Sequence, residues 1–203
     1  MKKGNGEVGL VKYSVTKIVI YPNDVLRVKT KKIEAISTRL IEEIEELKKE
    51  LVEAENGAGL AATQLGIEGR FFGIKDPTTK KVQVFINPEI TKSFGEKAFP
   101  LIVRDDKTTE DFLEGCLSFP DYYGTVRRHL KIEVKWQELI NKKLVTKKKT
   151  LDGFEAIVWQ HEADHLDGIL FVDWIGLEGG KFYRWKGEKK EEWDVNKVIE
   201  GKL

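Results

Sequence analysis

The chain has 203 residues, 40% hydrophobic and 34% charged, and its 35 Lys and Arg against 34 Asp and Glu leave a formal net charge of +1. Near-neutrality excludes binding of nucleic acid or an acidic membrane through the whole surface. The single cysteine, Cys116, excludes an intramolecular disulfide and any dependence on an oxidising compartment.

No stretch reaches the ~18 uninterrupted apolar residues of a membrane span. The basic start, Met1-Lys2-Lys3-Gly4-Asn5-Gly6, is not followed by the apolar core of a signal peptide. The expectation is a cytoplasmic globular protein, long enough for one substantial domain with its own core.

In chain order, residues 1–15 are polar and read as a short arm or a first strand. The β-branched run Ile18 to Ile20 ends at a turn signal, Tyr21-Pro22-Asn23-Asp24. Leu40, Ile44, Leu47 and Leu51, with Ile41 and Val52 beside them, recur at helical spacing and predict a long amphipathic helix. Ser37 is its expected N-cap and Gly57 its stop, and its other face is almost entirely Glu and Lys.

Strands are predicted over Phe71 to Ile74 and Val82 to Ile86, around the turn Asp76-Pro77-Thr78-Thr79, with Asn87-Pro88 closing the second. Residues 91–113, with a charged patch at Arg104 to Lys107, read as a long surface loop. Strands are expected within Thr125–Trp136, and Lys142 to Lys149 is the basic second arm of a hairpin. A second helix fits from about Phe154 to Leu166, stopped by Gly168. The tail from Trp174 carries Tyr183, Trp185 and Trp193 between charges, as a docking helix or a cover for the core. With no internal repeat, the economical fold class is one α+β domain.

The chemistry concentrates in His161-Glu162-Ala163-Asp164-His165. On a helix, positions i and i+4 share a face, so both imidazoles reach one metal, and Glu162 beside the first of them reaches a metal-bound water as general base. Two histidines four apart by coincidence is the bland alternative, made improbable because the chain has only three histidines in all.

A catalytic site of this kind needs a third protein ligand and an open position. A third histidine of the metzincin kind is excluded, because that position is Phe171. Glu188, Glu191 and Glu192 lie in a solvated-looking Lys/Glu tail, and His129 has no motif around it. Cys116, in Glu114-Gly115-Cys116-Leu117-Ser118, is the favoured candidate, although a lone cysteine is more often an inert small hydrophobe.

Three motifs in order carry a resemblance: Gly57-Ala58-Gly59-Leu60-Ala61-Ala62-Thr63-Gln64, then Glu114-Gly115-Cys116-Leu117-Ser118, then Gln160-His161-Glu162-Ala163-Asp164-His165-Leu166-Asp167-Gly168. Tyr21-Pro22 with Leu26-Arg27, and Ile86-Asn87-Pro88-Glu89, agree with them. The chain resembles the peptide deformylases over roughly residues 17–175. The resemblance implies an arm over 1–16, a catalytic domain over 17–175 and a tail over 176–203. It also implies partly antiparallel β-sheets around a central HExxH-bearing helix, with one long N-terminal amphipathic helix.

The implied activity is hydrolysis of the formyl group from the N-terminal formyl-methionine of newly synthesised polypeptides, with formate released by metal-bound hydroxide. Cys116, His161 and His165 would hold the metal, Fe(II) with Zn(II), Ni(II) or Co(II) able to substitute. Glu162 would be the acid/base residue. Gln64 and the backbone N–H of Leu117 would hold the developing oxyanion, and Gly59 and Leu60 would bind substrate. The implied partner is the nascent polypeptide, with a ribosome contact, no DNA, no membrane and a monomeric enzyme.

Arg128 is a candidate partner for Glu114 or Asp164 behind the metal ligands. The segment between Pro88 and Glu114 is longer than the family usually carries and enters the cysteine motif directly, so it is expected to border the substrate cleft. The tail after residue 175 has no counterpart in the resemblance. Three other readings remain open: a zinc peptidase with a different third ligand, a hydrolase using Cys116 as nucleophile, and a metal-binding protein without turnover.

Overall fold

Leu40, Ile44, Leu47 and Leu51 form the buried stripe of α1 (Thr38–Glu53), and the Ser37 side chain caps it by accepting the Leu40 N–H. This is a computed structural model, and it describes residues 17–201; the arm expected over 1–16 lies outside the described residues. The helix stops earlier than Gly57 would have stopped it, with Ala54 as C-cap. The buried ammonium of Lys75 donates to the carbonyls of Leu51 and Ala54 at the helix end, where Ala54 O also accepts the Gly57 N–H.

After α1 come β1 (Gly59–Ala61), β2 (Phe71–Lys75) and β3 (Val82–Phe94). Then β4 (Leu101–Val103), β5 (Thr109–Asp111), β6 (Glu114–Cys116) and β7 (Phe119–Gly124) follow. The long hairpin β8 (Lys131–Ile140) and β9 (Lys143–Asp152) runs straight into α2 (Gly153–Leu166). The chain continues as α3 (Phe171–Glu178), β10 (Phe182–Lys186), β11 (Lys189–Glu192) and the short α4 (Val195–Ile199).

Neighbouring strands pair antiparallel throughout the sheets β1-β2-β3-β8-β9, β11-β10-β7-β6 and β4-β5. The α+β expectation therefore holds as a mixed fold with antiparallel sheets. No helix among the described residues is long and apolar enough to cross a membrane.

Two parts of the chain differ from expectation, each for a local reason. Asn87-Pro88 does not close β3. Asn87 takes a positive φ of 49°, the register to β8 shifts between Ile86 and Glu89, and the strand resumes to Phe94. The Asn87 side chain makes up for the proline's missing donor locally. Its Oδ1 accepts from Ile33 N–H at 2.8 Å, and its Nδ2 donates to Ile33 O and Gln137 Oε1, both at 2.7 Å. Residues 91–113 are accordingly not one loop: they hold the end of β3 and the β4–β5 hairpin. In the second departure, the strand expected within Thr125–Trp136 begins only at Lys131, and the preceding strand is β7.

Two apolar clusters hold the layers together. In the first, Trp159 of α2 meets Phe72, Phe85 and Trp136 edge-on at centroid distances of 5.0, 4.6 and 5.6 Å, pinning α2 to the five-stranded sheet. Full burial of one such ring contributes roughly 1.5–3 kcal/mol. On the opposite face of that sheet edge, Gly73 lets α1 approach, since a methyl there would stand 2.6 Å from Leu47.

The second cluster joins Phe119 and Tyr122 of β7, Phe171 and Ile175 of α3, Phe182 of β10 and Val198 of α4. The tail is thus a cover for the core: β10 adds to β7, and α4 buries Val195 and Val198. Between the two sheets, the edges carried by β1 and β6 face a cavity of about 470 Å³ whose lining includes Gly59, Gln64, Cys116, His161 and Glu162.

Candidate metal centre

Three elements deliver the chemistry. Cys116 ends β6, where a register shift and the two-residue turn Leu117-Ser118 swing the strand back into β7. His161 and His165 lie one turn apart on α2, whose residues from Ala156 to Glu162 are all buried. Among the described residues, Cys116, His161 and His165 are the set of metal-ligating groups whose donor atoms all fall within 4.8 Å of one another. Cys116 Sγ lies 3.2 Å from His165 Nε2. The other candidates for third ligand are elsewhere: Glu188, Glu191 and Glu192 are exposed on the β10–β11 hairpin, and the His129 ring sits against Gly95 O.

Behind the ligands runs a charged network. His161 Nδ1 meets Glu114 Oε2 at 3.0 Å, which leaves its Nε2 for the centre. Arg128 holds both Glu114 oxygens, at 2.7 and 2.9 Å, and reaches Asp164 Oδ2 at 2.5 Å with its remaining arm. Trp174 Nε1 also donates to Asp164 Oδ2, at 2.8 Å. Arg128 therefore pairs with both residues named for it from sequence, while Trp174 had no signal there, since nothing local relates residues 164 and 174.

Burial opposes the charge on Glu114, but the Arg128 guanidinium outweighs it and brings the carboxyl down to about 2. Burial likewise opposes a charged His161, yet its bonds to Cys116 and Glu114 hold its pKa well above the ordinary value. His165 is pushed down by burial and by the neighbouring His161 charge.

Glu162 faces the same cavity without an ion partner. Its Oε2 is buried with no hydrogen-bond partner, and burial raises its carboxyl to about 7. Gly59 packs directly against it: a methyl on Gly59 would lie 2.3 Å from Glu162 Oε1.

The Gln64 amide is oriented from behind. Its Oε1 accepts the Ala61 N–H at 2.9 Å, so its NH₂ end points to Ser118 Oγ at 3.1 Å and Cys116 Sγ at 3.5 Å. Leu117, in the turn after Cys116, also lines the cavity. Leu60 is wholly buried in the first core cluster and does not line the cavity, unlike its neighbour Gly59. Two wall residues have no motif to announce them: the rings of Phe112 and Phe154 meet at 5.9 Å, and both line the cavity.

A partly buried thiol and two buried imidazoles converging beside a carboxyl whose pKa is raised toward neutrality suit a divalent cation with an acid/base partner. Residues 15–179 match the family model described as polypeptide deformylase. The chain belongs to the polypeptide deformylase family.

Among its relatives is the peptide deformylase of Desulforudis audaxviator, 37% identical over 79% of this chain and 93% of the relative. That of Aquifex aeolicus is 37% identical over 78% of this chain and 86% of its own. The crystal structure of a peptide deformylase from Legionella pneumophila superposes with a TM-score of 0.65 at 34% identity, covering 77% of this chain and 83% of that one. That from Thermotoga maritima gives 0.63 at 33% identity, over 77% and 94%.

Deformylases hydrolyse the formyl amide at the N terminus of newly synthesised polypeptides, and the chain is an enzyme of this class. For a deformylase, the cavity between β1 and β6 offers what the reaction needs: a donor set for a metal, a carboxyl near neutral pKa and an oriented amide.

Proposed function

We propose that Cys116, His161 and His165 hold a divalent metal in this deformylase, Fe(II) in the cell with Zn(II), Ni(II) or Co(II) able to substitute. The donor set suits all of these ions, and it supports the reading that the partly exposed sulfur and the buried imidazole nitrogens lie together beside an unpartnered carboxylate oxygen. Held there, such a metal would act as a Lewis acid and would lower the pKa of water.

The chain's own groups do the rest. Glu162, with its carboxyl near 7, takes a proton from the attacking water and delivers it to the departing amine nitrogen. The Gln64 NH₂ and the Leu117 N–H donate to the carbonyl oxygen as it becomes negative, and Ala61 N–H keeps the amide from turning its oxygen there. Gly59 and the backbone of Leu60, on the β1 edge, hold the formylated peptide in an extended form. Glu114, fixed by Arg128, orients His161. Formyl is the smallest acyl group, so a tight site excludes acetyl by steric contact.

The partner is the nascent formyl-methionyl polypeptide, met near the ribosome in the cytoplasm by a monomeric enzyme. The basic arm Lys142 to Lys149 is the surface for that ribosome contact; neither DNA nor a membrane takes part. We place the catalytic unit at residues 17–175, flanked by the arm 1–16 and the tail 176–203. The tail's β10 extends the sheet that carries Cys116.

The observation that carries this reading is the Cys116–His161–His165 cluster next to Glu162. Its test is anaerobic purification, metal quantification and an assay of formate release from formyl-Met-Ala-Ser. Formate release with Fe(II) or Ni(II) loaded, and its loss in Glu162→Ala with metal content unchanged, is expected. Absence of formate in the loaded wild type, indistinguishable from Glu162→Ala, would sink it.

A further inference from the structure

Among the described residues, one run of three consecutive large apolar side chains stands exposed: Leu101 at 57%, Ile102 at 40% and Val103 at 70%. They are the whole of β4, which pairs only with β5 and leaves its outer edge without a strand partner. Exposed apolar edge strands are usually blunted by charge, because they invite another strand to pair. This one belongs to the long segment that leads into the cysteine motif.

The hairpin is continuous with the cavity. Phe112 N–H bonds to Pro100 O at 2.9 Å, and Ile102 opposes Glu110 in the β4–β5 register. Side chains alternate along a strand, so Pro100, Ile102 and Phe112 share one face. Phe112 lines the cavity and meets Phe154, which is 55% exposed, so this ring pair stands at the rim.

The hairpin is also held in place. Its root makes two backbone bonds between Ala98 and Arg128, at 3.0 and 2.9 Å, and Asp111 pairs with Lys181 at 2.7 Å. The hairpin is therefore a fixed extension of the cavity rim, with Ile102 on the face of Phe112 and Leu101 and Val103 on the opposite face.

We propose that the β4–β5 hairpin is a docking ledge for the substrate polypeptide itself, receiving an apolar, extended segment a few residues downstream of the formyl-methionine. The proposal rests on the deformylase reading, since it assumes the formylated end occupies the cavity. A polypeptide whose first residue enters the cavity leaves it across the rim, and the rim at Phe112 leads onto β4. The edge offers main-chain partners to an extended peptide, and an added strand meets Ile102 on one face and Leu101 and Val103 on the other, the two parts of strand addition.

Other occupants fit less well. The tip carries both signs, with Arg104 paired to Glu110 at 2.6 Å, so it does not favour a polyanion. Three side chains fall far short of the ~800 Å² per partner that a stable dimer buries.

The test compares the kcat/KM of the metal-loaded enzyme on three peptides. These are formyl-Met-Ala-Ser, a formylated nonapeptide with Leu and Val at positions four to seven, and its twin with Ser and Gly there. Wild type is expected to prefer the apolar nonapeptide over the twin by about tenfold, the yield of burying two or three exposed methyl-bearing side chains. The triple variant Leu101→Ser/Ile102→Ser/Val103→Ser should lose that preference and keep its rate on formyl-Met-Ala-Ser. The pair Leu101→Ser/Val103→Ser, a milder surface change, should lose part of it.

Three results would overturn the ledge while leaving the deformylase reading intact. These are no preference in wild type, an unchanged preference in both variants, or an equal fall on all three peptides. A dimer that dissociates in the triple variant would assign the strip to a second copy instead. No formate from formyl-Met-Ala-Ser in wild type would bring down both readings together.

Discussion

Gly59 and Glu162 are packed so closely that a single methyl on the glycine would stand 2.3 Å from Oε1 of the glutamate. Glu162 is nearly wholly buried, so it cannot yield by swinging into solvent. Gly59→Ala should therefore displace the carboxylate from its place beside the Cys116–His161–His165 cluster. The expected outcome is a fall in kcat of about 100-fold, the lower end of what acid/base catalysis contributes. Metal content should be unchanged, because no donor atom is touched. Steady-state kinetics and metal analysis check it; a variant with more than half the wild-type kcat would contradict the packing argument.

Arg128 is the cation shared by the buried carboxylate of Glu114 and the partly buried one of Asp164. Removing it as Arg128→Met leaves Glu114 with His161 alone and Asp164 with the Trp174 N–H alone, and losing the cation of such a network costs about 3–5 kcal/mol. Arg128→Lys should recover little, because one ammonium cannot reproduce the bidentate grip on Glu114 together with the bond to Asp164. Urea denaturation of the metal-free proteins measures both. A lysine variant as stable as wild type would mean that charge alone, without fork geometry, holds the network.

How far the molecule can be read from its residues follows the range of each interaction. The stripe Leu40, Ile44, Leu47 and Leu51, its Ser37 cap and the i, i+4 histidines are local patterns, and all of them stand in the sequence. The end of α1 is decided by Lys75, 21 residues beyond Ala54, and the continuation of β3 past Pro88 by Asn87 bonding to Ile33 and Gln137. No window around Gly57 or Pro88 contains those partners. At the site, Cys116, His161 and His165 come together through residue types whose chemistry is legible on its own. The contacts of Gly59 with Glu162, Trp174 with Asp164 and Phe112 with Phe154 depend on how sheets and helices meet, which no spacing rule states.

Lys75 gives a third prediction, because its ammonium caps the carbonyls of Leu51 and Ala54 while its backbone N–H bonds Ala58 O at 2.8 Å. Burial lowers its pKa, yet the carbonyls give it partners that a methionine cannot replace. Lys75→Met should cost about 1–3 kcal/mol, the usual penalty for losing hydrogen bonds to a charged group inside a protein. It should also loosen Asn56 to Gly59, which line the cavity, so KM should rise several-fold with kcat nearly kept. Equal stability of variant and wild type in urea would show that solvent satisfies those carbonyls just as well.

The acid limb of the stability curve tests Glu114. Its carboxyl is held at about 2 in the folded protein, whereas an unfolded glutamate titrates near 4.5. A depressed folded pKa gives stability that is fully present above 4.5 and is lost as pH falls toward 2. Metal-free wild type should thus lose stability steeply between pH 4.5 and 2, and Glu114→Gln should show a shallower slope over the same window. Parallel curves for the two proteins would assign the acid transition to other carboxylates.

Cys116 is the only cysteine, so a thiol reagent reads the metal site without interference. In the metal-free protein, the partly exposed sulfur lies 3.2 Å from His165 Nε2 and 3.5 Å from the Gln64 amide, and it should react with one equivalent of reagent. If Cys116 is a metal ligand, loading Fe(II) or Ni(II) should suppress that reaction and raise the melting temperature, because the ion binds only the folded donor set. Chelation should then restore thiol reactivity and abolish formate release together. If Cys116 were instead a nucleophile paired with His165, activity would survive chelation and fail only on alkylation. The two mechanisms therefore separate on a single order of additions: chelator first, assay, alkylating agent second, assay again. Loss of activity at the first step, reversed by Fe(II) before alkylation and not after it, is the outcome the Cys/His/His centre requires.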